Sequence, residues 1–584
     1  MSRITFLTVT SLLTGLASAP ALADSDVKRE MKEDVLLRAL VDEVERGKVG
    51  LKLEDLERPY FIEYALQDST RASVSAVFGA VTGRNETRAR FLRTDVRVGS
   101  YKLDNTNYSG DLGGFSFPGF GGGRFGGAAI PVEDDYNAIR QAIWWATDRD
   151  YKSVTESFEK KKAFMESKVI EEDKPDDFSQ VSPTVHFEDR QEVKIDLGRL
   201  EKIVTSLSAI FRAYPEVQSS AVRINGNGGN TYLVNTEGTR FRTSGASYSL
   251  SIDATVQADD GMKLSDSVSI HVRDLDDLPS IPELSKRCRD LVVQLVDVKN
   301  APKLESYSGP VLVDAEVAAT LFSNQFARRF AGGQRPLGGR TPPNDFEEKL
   351  GKRILPKFLN VVDDPTLEEI DGVPVMAHYK FDHQGVEVKP VTLVEKGRLK
   401  ALVMSRNPSK KFKASTGHGR GMFRPRASVG CLKVTTSKGT TNKELKEKLT
   451  ELLDDDDLEY GIRIASLGAS SNSRFQRFTG MFGDMGRGFG RSRGASPLAI
   501  YKVYPDGREE LVRGAELARI GLRAFKRIKA AGDQLHVLNT GGRGGRTVAA
   551  PALLFEELDV GKIDRDFDKP PILPSPFART SKES

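Results

Sequence analysis

The chain has six histidines, and an imidazole group can bind a metal ion or act as a base near neutral pH. His378 and His383 are five residues apart with Asp382 between them, and zinc accepts imidazole and carboxylate ligands. The segment around them, MAHYKFDHQGVEVKP, alternates like a strand and a turn, which predicts that the two imidazoles point to opposite sides. The pattern favours local hydrogen bonds over a metal site for these two residues, and also for His418, which we expect in a turn.

A second group of candidate residues, which could act as a nucleophile or bind an anion, lies in the stretch from Gly309 to Gly332, GPVLVDAEVAATLFSNQFARRFAG. Its sequence predicts a short strand, an acidic helix start and a helix with regularly spaced apolar residues. Ser323 on this helix has no base beside it, so it is not predicted to be a nucleophile. Arg328 and Arg329 could bind a carboxylate or could pair with an acidic residue of a neighbouring strand, and the sequence leaves both alternatives open.

The same stretch belongs to an ordered series of segments that identifies a family. The others are DVRVGSYKLDNTN (Asp95–Asn107), PVEDDYNAIRQAIWWATDRDYK (Pro131–Lys152), YLVNTEGTRFRTSGASYSL (Tyr232–Leu250), LNVVDDPTL (Leu359–Leu367), VTLVEKGRLKALVMSR (Val391–Arg406), STGHGRG (Ser415–Gly421) and FRPRASVG (Phe423–Gly430). In this order they resemble the TldD/PmbA metallopeptidases over most of residues 60–435. The resemblance implies an α+β fold, with an α/β N-terminal part followed by a β-rich C-terminal domain.

The chain departs from that family where its zinc ligands would stand. The resemblance places Ser323 and Asn324 on the His-Glu pair of the family's His-Glu-x-x-x-His helix and Arg328 on its second histidine. The cysteine ligand of catalytic members would fall in LNTGGRGGRTVAAPAL (Leu538–Leu553), which has no cysteine. His383 and Gln384 replace acidic residues of relatives, and His418 replaces an asparagine.

These departures predict a zinc-type site that has been lost, so we expect no bound cofactor and no catalytic residue. Ser323, Asn324 and Arg328 would be degenerate metal-site positions. Four other residues are predicted to line the remaining cleft: Arg329, His383, His418 and Arg420.

Charge and composition give little support to nucleic-acid binding. The chain has 86 basic and 82 acidic residues and a net charge of +4, so no strong overall field favours a polyanion. The segment Arg474–Arg493 mixes Arg, Gly and Phe, a composition that can bind single-stranded nucleic acid, but we favour a loop that packs over a cleft or a subunit. Gly110–Ala128 is predicted to be a second glycine-rich loop.

The N-terminus predicts export from the cytoplasm. Arg3, an apolar run from Ile4 to Leu16 and the Ala21-Leu22-Ala23 junction have the layout of a secretory signal peptide over residues 1–23, so we expect a periplasmic or secreted protein. No later segment is apolar for long enough to predict a transmembrane span. Cys288 and Cys431 are expected to be buried free thiols, in a helix and a strand respectively.

Length and composition predict several domains. After the signal peptide we expect an N-terminal α/β domain (24–215), a middle segment with a linking helix (216–300), a β-rich C-terminal domain (301–565) and a Pro-rich tail (566–584).

Three functions are compatible with these residues. The first is a non-catalytic TldD/PmbA homologue that binds peptides or unfolded polypeptide, alone or as the inert subunit of a homo- or hetero-oligomer with another homologue. The second is an active metallopeptidase whose ligands come from elsewhere in the chain. The third is a structural envelope protein assembled through its Gly-Phe-Arg loops.

Overall fold

A computed structural model describes residues 27–53, 56–109, 128–168, 173–339, 344–468, 497–518, 520–541, 545–564 and 566–578. The predicted signal peptide, nearly all of the glycine-rich loop 110–128, the loop 474–493 and the last six residues of the chain lie outside these ranges. Their predictions stay untested.

The N-terminal half is built on a seven-stranded sheet with strand order β3-β2-β1-β5-β6-β4, in which β7 also pairs with β6. Its strands are β1 (Pro59–Val77), β2 (Ala80–Val98), β3 (Ala128–Ile130), β4 (Val185–Phe187), β5 (Val217–Asn235), β6 (Arg240–Gln257) and β7 (Lys263–Val272).

This sheet crosses the domain boundary that was predicted at residue 215. β1 pairs along its length with β5, for example Tyr64 with Val234, although the two strands are far apart in the chain. The residues on either side of 215 therefore share one sheet, and the middle segment is part of the N-terminal fold.

Four helices cover one face of the sheet: α1 (Val35–Gly50), α2 (Tyr136–Glu166), α3 (Leu197–Ala209) and α4 (Ile281–Asn300). Even-numbered residues of β1 point to this face because side chains alternate along a strand. Ile62 and Tyr64 pack with α1 and α2, while Val74 packs with α3 and α4. On the other face, Arg93 of β2 donates to the carbonyl of His383 (3.1 Å), which docks the sheet on the C-terminal half.

The C-terminal half contains a twelve-stranded sheet whose main path is β13-β12-β9-β16-β23-β8-β18-β19-β20. The strands of this half are β8 (Tyr307–Val313), β9 (Leu359–Asp363), β10 (Glu369–Ile370), β11 (Val373–Pro374), β12 (Val391–Glu395), β13 (Arg398–Leu399), β14 (Gly419–Arg420), β15 (Arg426–Ala427), β16 (Cys431–Thr436), β17 (Gly439–Thr440), β18 (Gly461–Ile464), β19 (Ile500–Val503), β20 (Glu509–Val512), β21 (Ala515–Leu517), β22 (Ile528–Thr540) and β23 (Arg546–Lys562). β10 with β11 and β14 with β15 form separate two-stranded ribbons.

Two helices lie on opposite faces of the large sheet, and a short third, α7 (Leu522–Lys526), precedes β22. α5 (Ala315–Phe326) packs on the face that carries Val311 and Val313 of β8. α6 (Asn442–Asp455), which begins with a Thr441–Glu444 capping box, packs on the face that carries Leu312. The strand alternation of β8 thus fills both layers.

The α+β class is confirmed, and so are the buried thiols, with Cys288 in α4 and Cys431 in β16. No helix in the described ranges is both long and apolar enough to span a bilayer.

Candidate functional site: the helix α5 and the turns beside it

The strand-to-helix connection that carries α5 is fixed by an ion pair. Asp314 precedes the helix, and its carboxylate accepts hydrogen bonds from Arg463 of β18 (3.0 and 2.6 Å). The Asp314 N–H donates to the carbonyl of Ile464 (3.0 Å). These bonds set where α5 starts and hold it against the sheet.

The three degenerate ligand positions do not share one environment. Ser323 is only 8% exposed on the packed side of α5, whereas Asn324 is exposed to solvent. Arg328 is also exposed and lies beyond the last helical residue, Phe326.

Their chemistry does not fit a zinc ion. Zinc in proteins is bound by thiolate, neutral imidazole or carboxylate groups, and none of the three residues carries one. The Arg328 guanidinium has five donors, no acceptor and a permanent positive charge. The donor set of these three residues therefore disagrees with the zinc site that the family resemblance implies.

Instead of ligands, the C-terminal end of α5 carries an aromatic cluster. The Phe326 ring lies 5.1 Å from Phe322, 5.5 Å from Phe330 and 4.9 Å from Phe525 of α7, measured between ring centroids. Phe346 completes the cluster 5.6 Å from Phe330. The rings of Phe322, Phe326, Phe330 and Phe346 are fully buried, so this end of the helix is held by apolar packing.

The region predicted to replace the family's cysteine turn is the hairpin of β22 and β23. Both strands pack against α5, and Phe555 of β23 contacts Phe525 (5.5 Å between centroids). The structure thus brings together the two parts of the chain that would carry ligands in the family. Residues 542–544 of the turn itself lie outside the described ranges.

Arg329, a predicted cleft residue, lies on the aromatic cluster. Its guanidinium carbon is 5.7 Å from the centroid of the Phe346 ring, which is within the range of a cation–π contact. Its carbonyl accepts a hydrogen bond from Asn344 (2.8 Å). Among the described residues it has no ion pair, so an aromatic ring stands where one of the two open alternatives had an acidic residue.

The other three predicted cleft residues come together around Asp382. This buried carboxylate accepts hydrogen bonds from the N–H groups of Gln384 (2.9 Å), Val386 (3.0 Å) and Gly419 (2.7 Å). Gly419 lies between His418 and Arg420, so its hydrogen bond to Asp382 holds the turn of His418 and Arg420 against the turn that contains Asp382 and His383. Burial raises the pKa of Asp382 despite these bonds.

His383 and His418 have separate partners in this arrangement. The Nδ1 atom of His383 accepts a hydrogen bond from Gly421 N–H (2.9 Å). His418 is fully buried, with Nδ1 close to Thr416 and Nε2 2.9 Å from an Asp363 carboxylate oxygen. The prediction of a turn residue with only local bonds was therefore incomplete, because β9 supplies a buried carboxylate partner.

His378 takes no part in this cluster. Its nearest acidic partner is Glu368, with 4.0 Å between Nε2 and the carboxylate, and burial lowers its pKa with a further contribution from Arg273. The segment around it forms turns and no strand, so the expected reason for separating the histidines was wrong. In the part of the chain that the structure describes, no three His, Cys, Asp or Glu side chains are grouped to hold a metal.

Sequence reasoning missed a buried charge at the junction of the two halves. Arg406 is fully buried, and its guanidinium donates to Glu237 (2.8 and 2.6 Å) and to the carbonyl of Ser179. It also lies over the ring of Phe178 (3.8 Å to the centroid). It closes the segment Val391–Arg406 that carries the family resemblance, but nothing in the spacing marked it.

The comparison with known families is consistent with this architecture. Residues 306–486 match the PmbA/TldA metallopeptidase C-terminal domain, which includes β8, α5, the His418 turn and α6. Residues 306–486 are therefore a domain of the TldD/PmbA family. This TldD/PmbA protein is therefore metallopeptidase-like, and the predicted family is confirmed.

Two curated proteins are similar to parts of this TldD/PmbA chain. Metalloprotease MJ0996 of Methanocaldococcus jannaschii is 30% identical over 147 residues, and a metalloprotease of Archaeoglobus fulgidus is 26% identical over 137 residues. Each match covers 24% of this chain and 30% of the relative, so the chain matches less than a third of either relative's length. The solved structure of TldE from Thermococcus kodakarensis has the same fold, with a TM-score of 0.56 at 14% identity over 90% of this chain and all of that one.

Proposed function

We propose that this chain is an exported, non-catalytic TldD/PmbA homologue that binds extended peptide, alone or as the inert subunit of a peptidase complex. The observation that carries the proposal is the donor set on α5. A hydroxyl, an amide and a guanidinium stand where the resemblance places two imidazoles and a carboxylate.

Loss of the family's glutamate carboxylate, at the position of Asn324, would also remove the general base of the reaction. A zinc peptidase needs a general base that takes a proton from the attacking water, in addition to the metal that lowers the pKa of that water. Asn324 carries an amide that is not basic. Neither requirement is met at the family positions, and the Arg328 charge opposes a cation there.

Peptide binding is supported by the free edge of β7. In the described ranges β7 pairs only with β6, so its outer backbone groups can accept a further strand. Ser267 N–H donates to the Asp266 side chain (2.8 Å), which indicates that the odd-numbered N–H groups of β7 face outward.

The same edge lies near α5. Burial, together with a smaller contribution from the carboxylate of Glu316 in the first turn of α5, raises the pKa of Asp266 to about 6. A peptide strand added to β7 would therefore run past the N-terminal end of α5. With no zinc ligand or general base at the family positions, the peptide would be held there without being cleaved.

Export and partnership complete the proposal. The layout of residues 1–23 supports secretion, and the family resemblance supports an oligomer with a metal-bearing homologue. The alternative of an active metallopeptidase is favoured by one finding, the metalloprotease names of the curated relatives. Cleavage assays separate the two.

The test uses the chain from Asp24 onward and a fluorescein-labelled fragment of reduced casein as an unfolded peptide. We expect the fragment to bind and to remain intact by mass spectrometry, with or without 1,10-phenanthroline. Ser269→Pro removes an outward N–H of the edge strand and should weaken binding about tenfold, the effect of a lost backbone hydrogen bond with added steric conflict.

Ser269→Ala is the matched control, since it keeps that N–H, and it should bind like the unchanged chain. Cleavage that the chelator stops would contradict the loss of activity. Equal binding by the proline and alanine variants would contradict the edge of β7 as the peptide site.

A further inference from the structure

Two arginines face each other across the short ribbon that follows the His418 turn. β14 and β15 are antiparallel, and their register pairs Arg420 directly with Arg426. Cross-strand neighbours have Cβ atoms about 5 Å apart, and like charges at that distance destabilise a sheet pair. The two like charges face each other in the ribbon, and a favourable contact inside the protein is described for Arg420 only.

Tyr379 is the compensation for Arg420. The guanidinium carbon of Arg420 lies 4.1 Å from the centroid of the Tyr379 ring, a close cation–π contact. The Tyr379 hydroxyl donates to the carbonyl of Gly417 (3.1 Å), and burial raises the pKa of that hydroxyl. Arg426 is exposed and has no ion pair within the described ranges.

The backbone next to the same ring leads to a third arginine, Arg546. Gly430 touches Tyr379, since a Cβ added at residue 430 would lie 3.2 Å from the ring. The carbonyl of Gly430 accepts a hydrogen bond from Thr547 N–H (2.9 Å), which places Arg546 one residue away. The buried Nε atom of Arg546 has no hydrogen-bond partner among the described residues.

The nearby carboxylate of Asp363 is already engaged by other groups. Asp363 already accepts two contacts from Gly430 N–H (3.0 and 3.2 Å) and lies 2.9 Å from His418 Nε2. Burial lowers the pKa of Arg546, Asp363 opposes this shift, and Arg420 adds to it, as expected for guanidinium groups that repel each other.

The geometry points to a binding site for an anionic group, a phosphate or a carboxylate, formed by Arg420, Arg426 and Arg546. Guanidinium forks match both groups with paired charge-assisted hydrogen bonds. A bound anion would relieve the repulsion across the ribbon and give Arg546 Nε its missing acceptor. This site does not depend on the proposed function, because it requires neither peptide binding at β7 nor the loss of zinc.

The test titrates the full mature chain by calorimetry at low ionic strength with inorganic phosphate and, separately, with acetyl-trialanine, whose terminus is a free carboxylate. Binding is expected, and Arg426→Gln and Arg546→Gln should each weaken it at least about tenfold, as for a lost charge-assisted bond. Arg223→Gln, an exposed arginine of β5, is the control and should bind normally.

The two probes distinguish the source of the anion. Binding of phosphate alone would assign the site to a phosphate-bearing ligand, and binding of acetyl-trialanine but not of its C-terminal amide would assign it to a chain terminus. The proposal is overturned if both probes bind more weakly than about 10 mM, or if Arg426→Gln, which is exposed and should fold, binds as well as Arg223→Gln.

Discussion

Phe326→Ala is expected to lower the free energy of unfolding by about 3–5 kcal/mol, the usual cost of deleting a buried aromatic ring. Phe326 is fully buried and contacts Phe322, Phe330 and Phe525, so the cavity would open at the centre of the cluster. Urea denaturation followed by fluorescence measures the loss.

Asn324→Ala is the matched control two residues earlier on the same helix. Asn324 is exposed, and an exposed substitution of this kind changes stability by about 0.5 kcal/mol or less. Equal losses of unfolding free energy for the two variants would contradict our interpretation that α5 is held by apolar packing on one face and binds no metal on the other.

Arg406→Met should be the second large effect, a loss of about 3–5 kcal/mol, because it leaves the largely buried carboxylate of Glu237 without its partner. Glu237 would keep only the hydrogen bond from Tyr101 (2.7 Å), and the carbonyl of Ser179 would lose its donors. The loss should appear as a lower midpoint of thermal or urea unfolding.

A double variant tests whether the ion pair between Arg406 and Glu237 accounts for that loss of unfolding free energy. Glu237→Gln added to Arg406→Met should cost less than the sum of the single changes, since the uncompensated charge is then gone. Arg223→Met on an exposed strand position should be nearly neutral. Additive losses for the first two changes would contradict the pairing.

Local patterns predicted the strand and helix of Gly309–Gly332, which appear as β8 and α5. These signals depend on neighbours three or four residues apart, which the sequence contains directly.

The sheet and the turn cluster could not be predicted in the same way. The pairing of β1 with β5 joins residues such as Tyr64 and Val234, and the contact between His418 and Asp363 joins a turn to a distant strand. Such contacts follow from strand register and tertiary packing. Asp363 and Arg406 lie in segments that resemble the family, but the sequence of those segments does not indicate which residues they contact. The sequence left two alternatives open for Arg329, and neither included the Phe346 ring that tertiary packing places beside it.

The most direct measurement is the zinc content of the mature chain, purified from its native host without chelator and analysed by mass spectrometry of the metal. We expect far less than one zinc per chain, unchanged after dialysis against zinc, because no thiolate, imidazole or carboxylate stands at the family positions. One tightly held zinc per chain, retained through dialysis against a weak chelator, would contradict the loss of the metal site.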